Sequence, residues 1–169
     1  MPEFVIRQAR AHDARAMAQL MADVAEECDG IATEPPVDVD ECAARFAGTV
    51  EETVVADAGG RIDGIVHVEV SRFGWGELGM LVDTGWRGRG AGSALVQAAI
   101  EWSRGHGLHK LCLEVFPANA AALVLYRKFG FVEEGRRVRQ YRRANGEFWD
   151  AIVMGLALEE SRQEPLGQA

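Results

Sequence analysis

The stretch Leu81–Trp102 reads LVDTGWRGRGAGSALVQAAIEW. A short apolar run ends in Asp83-Thr84-Gly85. Two arginines, Arg87 and Arg89, then alternate with glycines, and an alanine-rich helical pattern follows at once. A strand, a glycine-rich turn and a helix in this order make a site for an anion. Glycine lets the main chain approach a ligand closely, the first amides of the helix have no partner inside it, and the helix dipole favours negative charge there. The turn raises one question: which anion it holds.

Single residues exclude two phosphate-binding patterns. A P-loop needs Gly-x-x-x-x-Gly followed by Lys. Gly85 and Gly90 have that spacing, but Ala91 stands in the lysine position. A dinucleotide fingerprint needs Gly-x-Gly-x-x-Gly or Ala. Gly88 and Gly90 are followed by Ser93 at the sixth place, and a start at Gly90 leads to Leu95. What is left is Arg-x-x-Gly-x-Gly, filled by Arg87, Gly90 and Gly92.

Outward from the turn, apolar periodicity divides the chain. Phe4–Ile6 reads as a strand. His12 or Asp13 can cap a helix with Met17, Leu20, Met21 and Val24 on its apolar face. Gly30 and the Pro35-Pro36 pair mark a loop, and Val39–Phe46 reads as a second helix. Thr53–Asp57 and Arg61–Ser71 are strands of a hairpin, with Ile62, Val66, Val68 and Val70 expected on one face of the second. GELGMLVD is the fourth strand. The helix after the turn runs from Gly90 to Arg104, with Ala91, Ala94, Leu95, Ala98, Ala99 and Trp102 on its stripe.

A fifth strand, KLCLEVF, alternates Leu111, Leu113 and Val115 and stops at Pro117. Asn119 can cap a helix that ends at Gly130. Two last strands are joined through Asn145-Gly146, a strong turn signal. This order predicts one α+β (mixed α/β) domain over residues 1–158 and a polar C-terminal tail over 159–169. A helix links the fourth and fifth strands, so these two must be parallel.

The 169 residues suit one domain with a real core. A formal net charge of −8 argues against a general nucleic-acid binder, because no chain-wide positive field draws phosphates. No run of about 18 apolar residues predicts a membrane span, and MPEFVIRQAR lacks the apolar core of a secretory signal. Three cysteines, Cys28, Cys42 and Cys112, fit no paired metal spacing, and a reduced cytoplasmic setting is expected. Cys112 reads as a small core residue. The four histidines, His12, His67, His106 and His109, form no ligand motif, so no metal is expected.

The turn and its strand resemble the acyl-CoA-binding motif of the GNAT superfamily of N-acetyltransferases. LEVFPANAAALVLYRKFGFVEEG is similar to the next element of that family: a strand, an Asn, a helix with Leu-Tyr, then Gly-Phe and Glu-Gly. The resemblance runs from Phe4 to Leu158 and is weakest between Glu26 and Gly48. It implies a GNAT-like domain with a central mixed, mostly antiparallel sheet of about seven strands, a parallel pair at the cofactor site and about four flanking helices. It also implies acetyl-CoA as co-substrate and a primary amine as acceptor, on a small molecule, amino acid or peptide. A homodimer through the final strands would fit the family.

The resemblance also distributes roles. The pyrophosphate of coenzyme A would lie on the amides of Gly88, Arg89, Gly90, Ala91, Gly92 and Ser93, with Arg87 and Arg89 neutralising phosphate. The oxyanion would lie near the main chain of Met80, Leu81 and Val82. Asn119 would bond the pantetheine arm or a water, beside its duty as a helix cap. Tyr126 would be the general acid for the departing thiolate; without the resemblance it reads as a packed aromatic. Glu77 is the candidate base, against a solvated strand-end carboxylate. His67 reads first as a satisfied structural histidine and second as a base, and water-mediated proton loss is the remaining route. The acceptor would meet Asp23–Asp40, Arg136–Arg143, Trp75 or Trp149, although solvated charges and ordinary packing explain these residues as well. The alternative to an enzyme is a non-catalytic acyl-CoA-binding or sensory domain, which would need no acid at the sulfur.

Overall fold

The computed structural model describes residues 3–159. Residues 160–169 of the expected tail lie outside the described residues. Seven strands form one sheet: β1 Val5–Gln8, β2 Thr53–Asp57, β3 Ile62–Val70, β4 Trp75–Val82, β5 Lys110–Val115, β6 Val132–Arg142 and β7 Phe148–Ala157. Their spatial order is β1-β2-β3-β4-β5-β7-β6, and every neighbouring pair is antiparallel except β4–β5. The helices are α1 Ala14–Ala25, α2 Val39–Ala47, α3 Ala91–Gly105 and α4 Ala120–Lys128. The expected mixed sheet with one parallel pair is therefore present. Among the described residues no helix is long and apolar enough to cross a membrane.

The helices cover the two faces of the sheet. On one face Val66, Val68 and Leu78 pack with Leu95, Val96, Ala99 and Ile100 of α3 and Leu123 and Tyr126 of α4. On the other face Val55, Ile65 and Leu81 pack with Met17, Leu20 and Val24 of α1. Leu111, Leu113 and Val115 are buried as their alternation requires.

Four local expectations are corrected. Pairing between β2 and β3 runs Ala56–Gly64 and then Asp57–Ile62, so Asp63 is the extra residue of a bulge. The bulge reverses the alternation: Ile62 joins Ile65 on the α1 face, while Val70 is exposed at the strand end. The buried stripe of α3 is rotated toward Val96, Ile100 and Ser103; Ala91, Leu95 and Ala99 stay on it, and Trp102 is half-buried at its border. Asp13 occupies the N-cap position of α1, but its side chain makes no capping bond to the helix. Its carboxylate accepts from Arg7 at 2.7 and 2.9 Å and from the Arg10 amide at 2.8 Å. Cys112, between Leu111 and Leu113, points to the opposite face and is half-buried rather than in the core.

Candidate active site

The parallel pair is short. β4 and β5 are joined only at Trp75–Lys110, Gly76–Leu111 and Glu77–Cys112. Beyond Glu77, β4 continues against β3 from Leu78 to Val82, and β5 continues against β7 to Val115. The two strands therefore diverge toward their C-terminal ends. Main-chain groups of β4 that would have faced β5 between Leu78 and Val82 lose their strand partner there, and unpaired amides seek an acceptor. Met80, Leu81 and Val82 lie in this segment.

The glycine-rich turn follows directly. Asp83 accepts from the Gly85 amide at 2.9 Å and starts a 3₁₀ turn, Thr84–Trp86. Gly88 (φ 72°) and Gly90 (φ 90°) take left-handed backbone, which L side chains adopt at a cost, and open space surrounds the position of a Cβ at each. The first i→i−4 bond of α3 is Ala94 N to Gly90 O, 3.0 Å, so the amides of Ala91, Gly92 and Ser93 have no partner within the helix. No side chain caps this end. An open, side-chain-free cradle of amides fits a pyrophosphate. Gly92 lets α3 approach α4: a Cβ would come 3.2 Å from Leu125 Cδ2.

Both arginines of the turn are engaged. Arg87 forms a two-pronged pair with Glu27, at 2.7 and 3.0 Å, and donates to the Val82 carbonyl at 3.1 Å. Thr84 donates to the same carboxylate. Burial alone would raise the Glu27 carboxyl, but the bonds from Arg87 and Thr84 outweigh it and hold it below the ordinary range. Arg89 pairs with Glu3 at 3.0 Å and lies over the Trp86 ring. The α1–α2 connection is thus tied to the turn at Glu27. Its far side is tied to the β6–β7 turn, where buried Arg143 donates to the Ala32 carbonyl at 2.9 Å and Ala144 N donates to Glu34 at 2.9 Å.

α4 starts beside the same opening because it follows β5. Asn119 Oδ1 accepts from Ala122 N at 3.1 Å and caps the helix. Tyr126 is 7% exposed, packs edge-on against Phe131, and has its phenol pushed up to about 12 by burial. Among the described residues its hydroxyl takes no hydrogen-bond partner.

On the opposite face of β4, a cleft of about 490 Å³ opens between the sheet and the first two helices. Gly79, Met80 and Leu81 of the diverging segment form one wall, with Ile65, His67 and Glu69 of β3 beside them. Met21 of α1 and Arg45, Phe46 and Thr49 at the end of α2 form the other wall. Arg45 has no carboxylate partner among the described residues. His67 lies 3.1 Å from Thr53 Oγ1 through Nδ1, and burial lowers its pKa against the upward pull of Glu52 and Glu69. Glu77 is exposed, pairs in register with Glu69, and lies outside the cleft wall. Partial desolvation raises its carboxyl; Glu114 and Glu69 add to the rise and Arg137 opposes it.

Comparison with known proteins decides the family. The family model described as "Acetyltransferase (GNAT) family" matches residues 16–131. The L-amino acid N-acetyltransferase AaaT of Escherichia coli (strain K12) is 33% identical over 91% of this chain and 98% of its own. The L-methionine sulfoximine/L-methionine sulfone acetyltransferase of Pseudomonas aeruginosa is 30% identical over 95% and 98%. The structure superposes on an acetyltransferase from Salmonella typhimurium solved with acetyl-CoA, with a TM-score of 0.84 over 95% and 96% of the two chains at 21% identity. The chain belongs to the GNAT acetyltransferase family. Acetyl-CoA-dependent N-acetyl transfer is its reaction class.

The GNAT fold brings most of the expected residues to one opening: Met80, Leu81, Val82 and the turn at the end of β4, and Asn119 at the start of α4. The expected acceptor residues are not gathered there. Arg136 is paired with Asp150, Arg137 with Glu114, and Arg143 is stacked on Trp149, which packs on Phe116. Arg45, Phe46, Thr49 and Glu69 line the cleft although nothing local in the sequence marks them. Met21 belongs to the apolar stripe of α1 and packs at the edge of the core, but it is only half-buried there and also lines the cleft.

Proposed function

We propose that this enzyme acetylates the α-amine of a free amino acid. The cleft carries this reading. One cation with no carboxylate partner among the described residues, Arg45, stands on one wall; Glu69 and His67 stand on the other, and Met21, Phe46 and Ile65 supply apolar surface. A zwitterion with an apolar side chain satisfies all three: carboxylate to Arg45, ammonium to Glu69, side chain to the apolar wall. The volume falls in the range of small-ligand sites, about 300–1,000 Å³. The two named relatives, acting on L-amino acids and on methionine sulfoximine or sulfone, support the same class.

In this proposal the amides of Gly88–Ser93 receive the pyrophosphate, Asn119 bonds the pantetheine arm through its free amide, and Arg87 and Arg89 add positive charge. The acetyl carbonyl lies along the diverging part of β4, where unpaired main-chain amides around Met80–Val82 face the growing oxyanion. Fixed main-chain donors stabilise it without reorganising. Tyr126 gives its proton to the departing sulfur; a phenol held near 12 is protonated at neutral pH. Glu77 and Glu69 form the negative field that draws the ammonium to β4.

Release of coenzyme A thiol, followed across amines, free amino acids and short peptides, tests this reading. Free amino acids should turn over best. Turnover with peptides alone would reassign the acceptor to a peptide N-terminus. Acetyl-CoA binding with no turnover on any acceptor would favour a sensory domain.

A further inference from the structure

We propose that Nε2 of His67 takes the proton from the acceptor amine. The proposal rests on the acetyl-transfer reading above. Thr53 decides which ring nitrogen is free. Its hydroxyl has a single proton, which is donated to the Thr49 carbonyl at 2.6 Å. Nδ1 of His67 lies 3.1 Å from the same oxygen. With its only hydrogen committed, that oxygen can only accept, so Nδ1 carries the imidazole hydrogen. A neutral imidazole has one such hydrogen. Nε2 is left as a bare acceptor.

The position of the ring gives this lone pair a use. His67 stands directly across the β3–β4 ladder from Gly79. Gly79 has no side chain, and nothing lies within 4 Å of the place of its Cβ. Opposed residues in such a ladder lie about 4.5–5.5 Å apart, so the ring flanks an open spot on the cleft wall. That spot lies on the part of β4 that has left β5. Glu77 is two residues back on the same face, about 7 Å along the strand, at the last rung shared with β5. It adds to the negative field around Glu69 and stands outside the cleft wall.

The surroundings keep the ring neutral. Burial lowers its pKa below the ordinary histidine value. The carboxylates of Glu52, before β2, and Glu69, on β3, pull it upward, as does the Glu52 carbonyl. Arg45 of α2 is the cation on the facing wall, and Glu77 of β4 lies beyond Gly79. A neutral ring accepts a proton at pH 7.

The protons balance. The ammonium gives one proton to Nε2, and the freed nitrogen bonds to the acetyl carbon. Collapse breaks the carbon–sulfur bond, and Tyr126 protonates the sulfur. The new amide nitrogen loses its second proton, which offsets the one that Tyr126 gave. His67 returns its proton to water, the net proton released by the reaction.

Two measurements on the full chain test the proposal. A long-range ¹H–¹⁵N spectrum at neutral pH should show the His67 hydrogen on Nδ1; a hydrogen on Nε2 would overturn the assignment. With acetyl-CoA and the best amino acid, kcat/KM should rise with pH through a midpoint below about 6.5, the ordinary histidine value. His67→Gln should lose that limb and about 10²-fold or more in kcat with the acetyl-CoA KM unchanged, and added imidazole should restore part of the activity of His67→Ala. Full activity in His67→Gln, or loss of the limb in Glu77→Gln instead, would contradict it. A parent enzyme inactive on every acceptor would remove the acetyl-transfer reading itself, and this proposal with it.

Discussion

The two sides of the diverging strands are made of different material. On the side proposed for the coenzyme the groups on offer are chiefly main chain: the turn after β4, with left-handed glycines at Gly88 and Gly90 and amides at the start of α3 that have no partner within the helix. On the side proposed for the acceptor the cleft is lined chiefly by side chains drawn from α1, α2, β3 and β4. A main-chain site is encoded in one continuous stretch and tolerates change everywhere except at its glycines. A side-chain site is assembled from distant positions and can be retuned residue by residue. One fold can therefore keep its donor and vary its acceptor.

Variants on each side should separate in what they damage. Tyr126→Phe removes only a hydroxyl from a buried ring, so kcat should fall roughly 10²–10⁴-fold while calorimetry finds unchanged acetyl-CoA affinity; a loss of affinity alone would make Tyr126 a packing residue. Arg45→Gln removes a charged hydrogen bond of about 1.5–3 kcal/mol. The acceptor KM should rise ten- to a hundredfold, with the acetyl-CoA KM unmoved. Gly90→Val places a β-branched residue at φ 90° with its Cβ in the open cradle. Acetyl-CoA should bind about tenfold more weakly, ~1.4 kcal/mol, and equal affinity by calorimetry would remove the turn from the coenzyme site.

Glu27→Gln should do least. The pair with Arg87 is part-exposed, its side chains 44% and 24% accessible, so it contributes about 0–1 kcal/mol. The folded-state carboxyl lies below its unfolded value, so the contribution is present above about pH 4.3 and is lost as pH falls through the folded value. Thermal unfolding of parent and variant should differ slightly at pH 7 and converge in acid.

The same division explains what the sequence made legible. The turn, the cap at Asn119 and the strand alternation of Leu111, Leu113 and Val115 are local patterns, and each stands where its residues placed it. The phase of Ile62 was lost to one extra residue, Asp63, because a bulge inverts a two-residue period without leaving a mark in composition. Its apolar neighbours make Cys112 read as core, although the alternation of Leu111 and Leu113 assigns it to the other face. Arg45 and Phe46 reach the cleft only because α2 packs against α1 and brings its C-terminal end to the wall facing β3 and β4, and no spacing along the chain reports that approach. The basic run Arg136–Arg143 reads as a site for a carboxylate, but Glu114, Asp150 and the Trp149 ring occupy three of its guanidinium groups.

A crystal structure with coenzyme A and an N-acetyl amino acid bound together is the most direct test. Pyrophosphate on the amides of Gly88–Ser93, sulfur between the diverging ends of β4 and β5 beside Tyr126, and the product carboxylate on Arg45 would establish a main-chain donor site and a side-chain acceptor site on one strand. Pyrophosphate away from the turn, or product bound outside the cleft between α2 and β3, would contradict it.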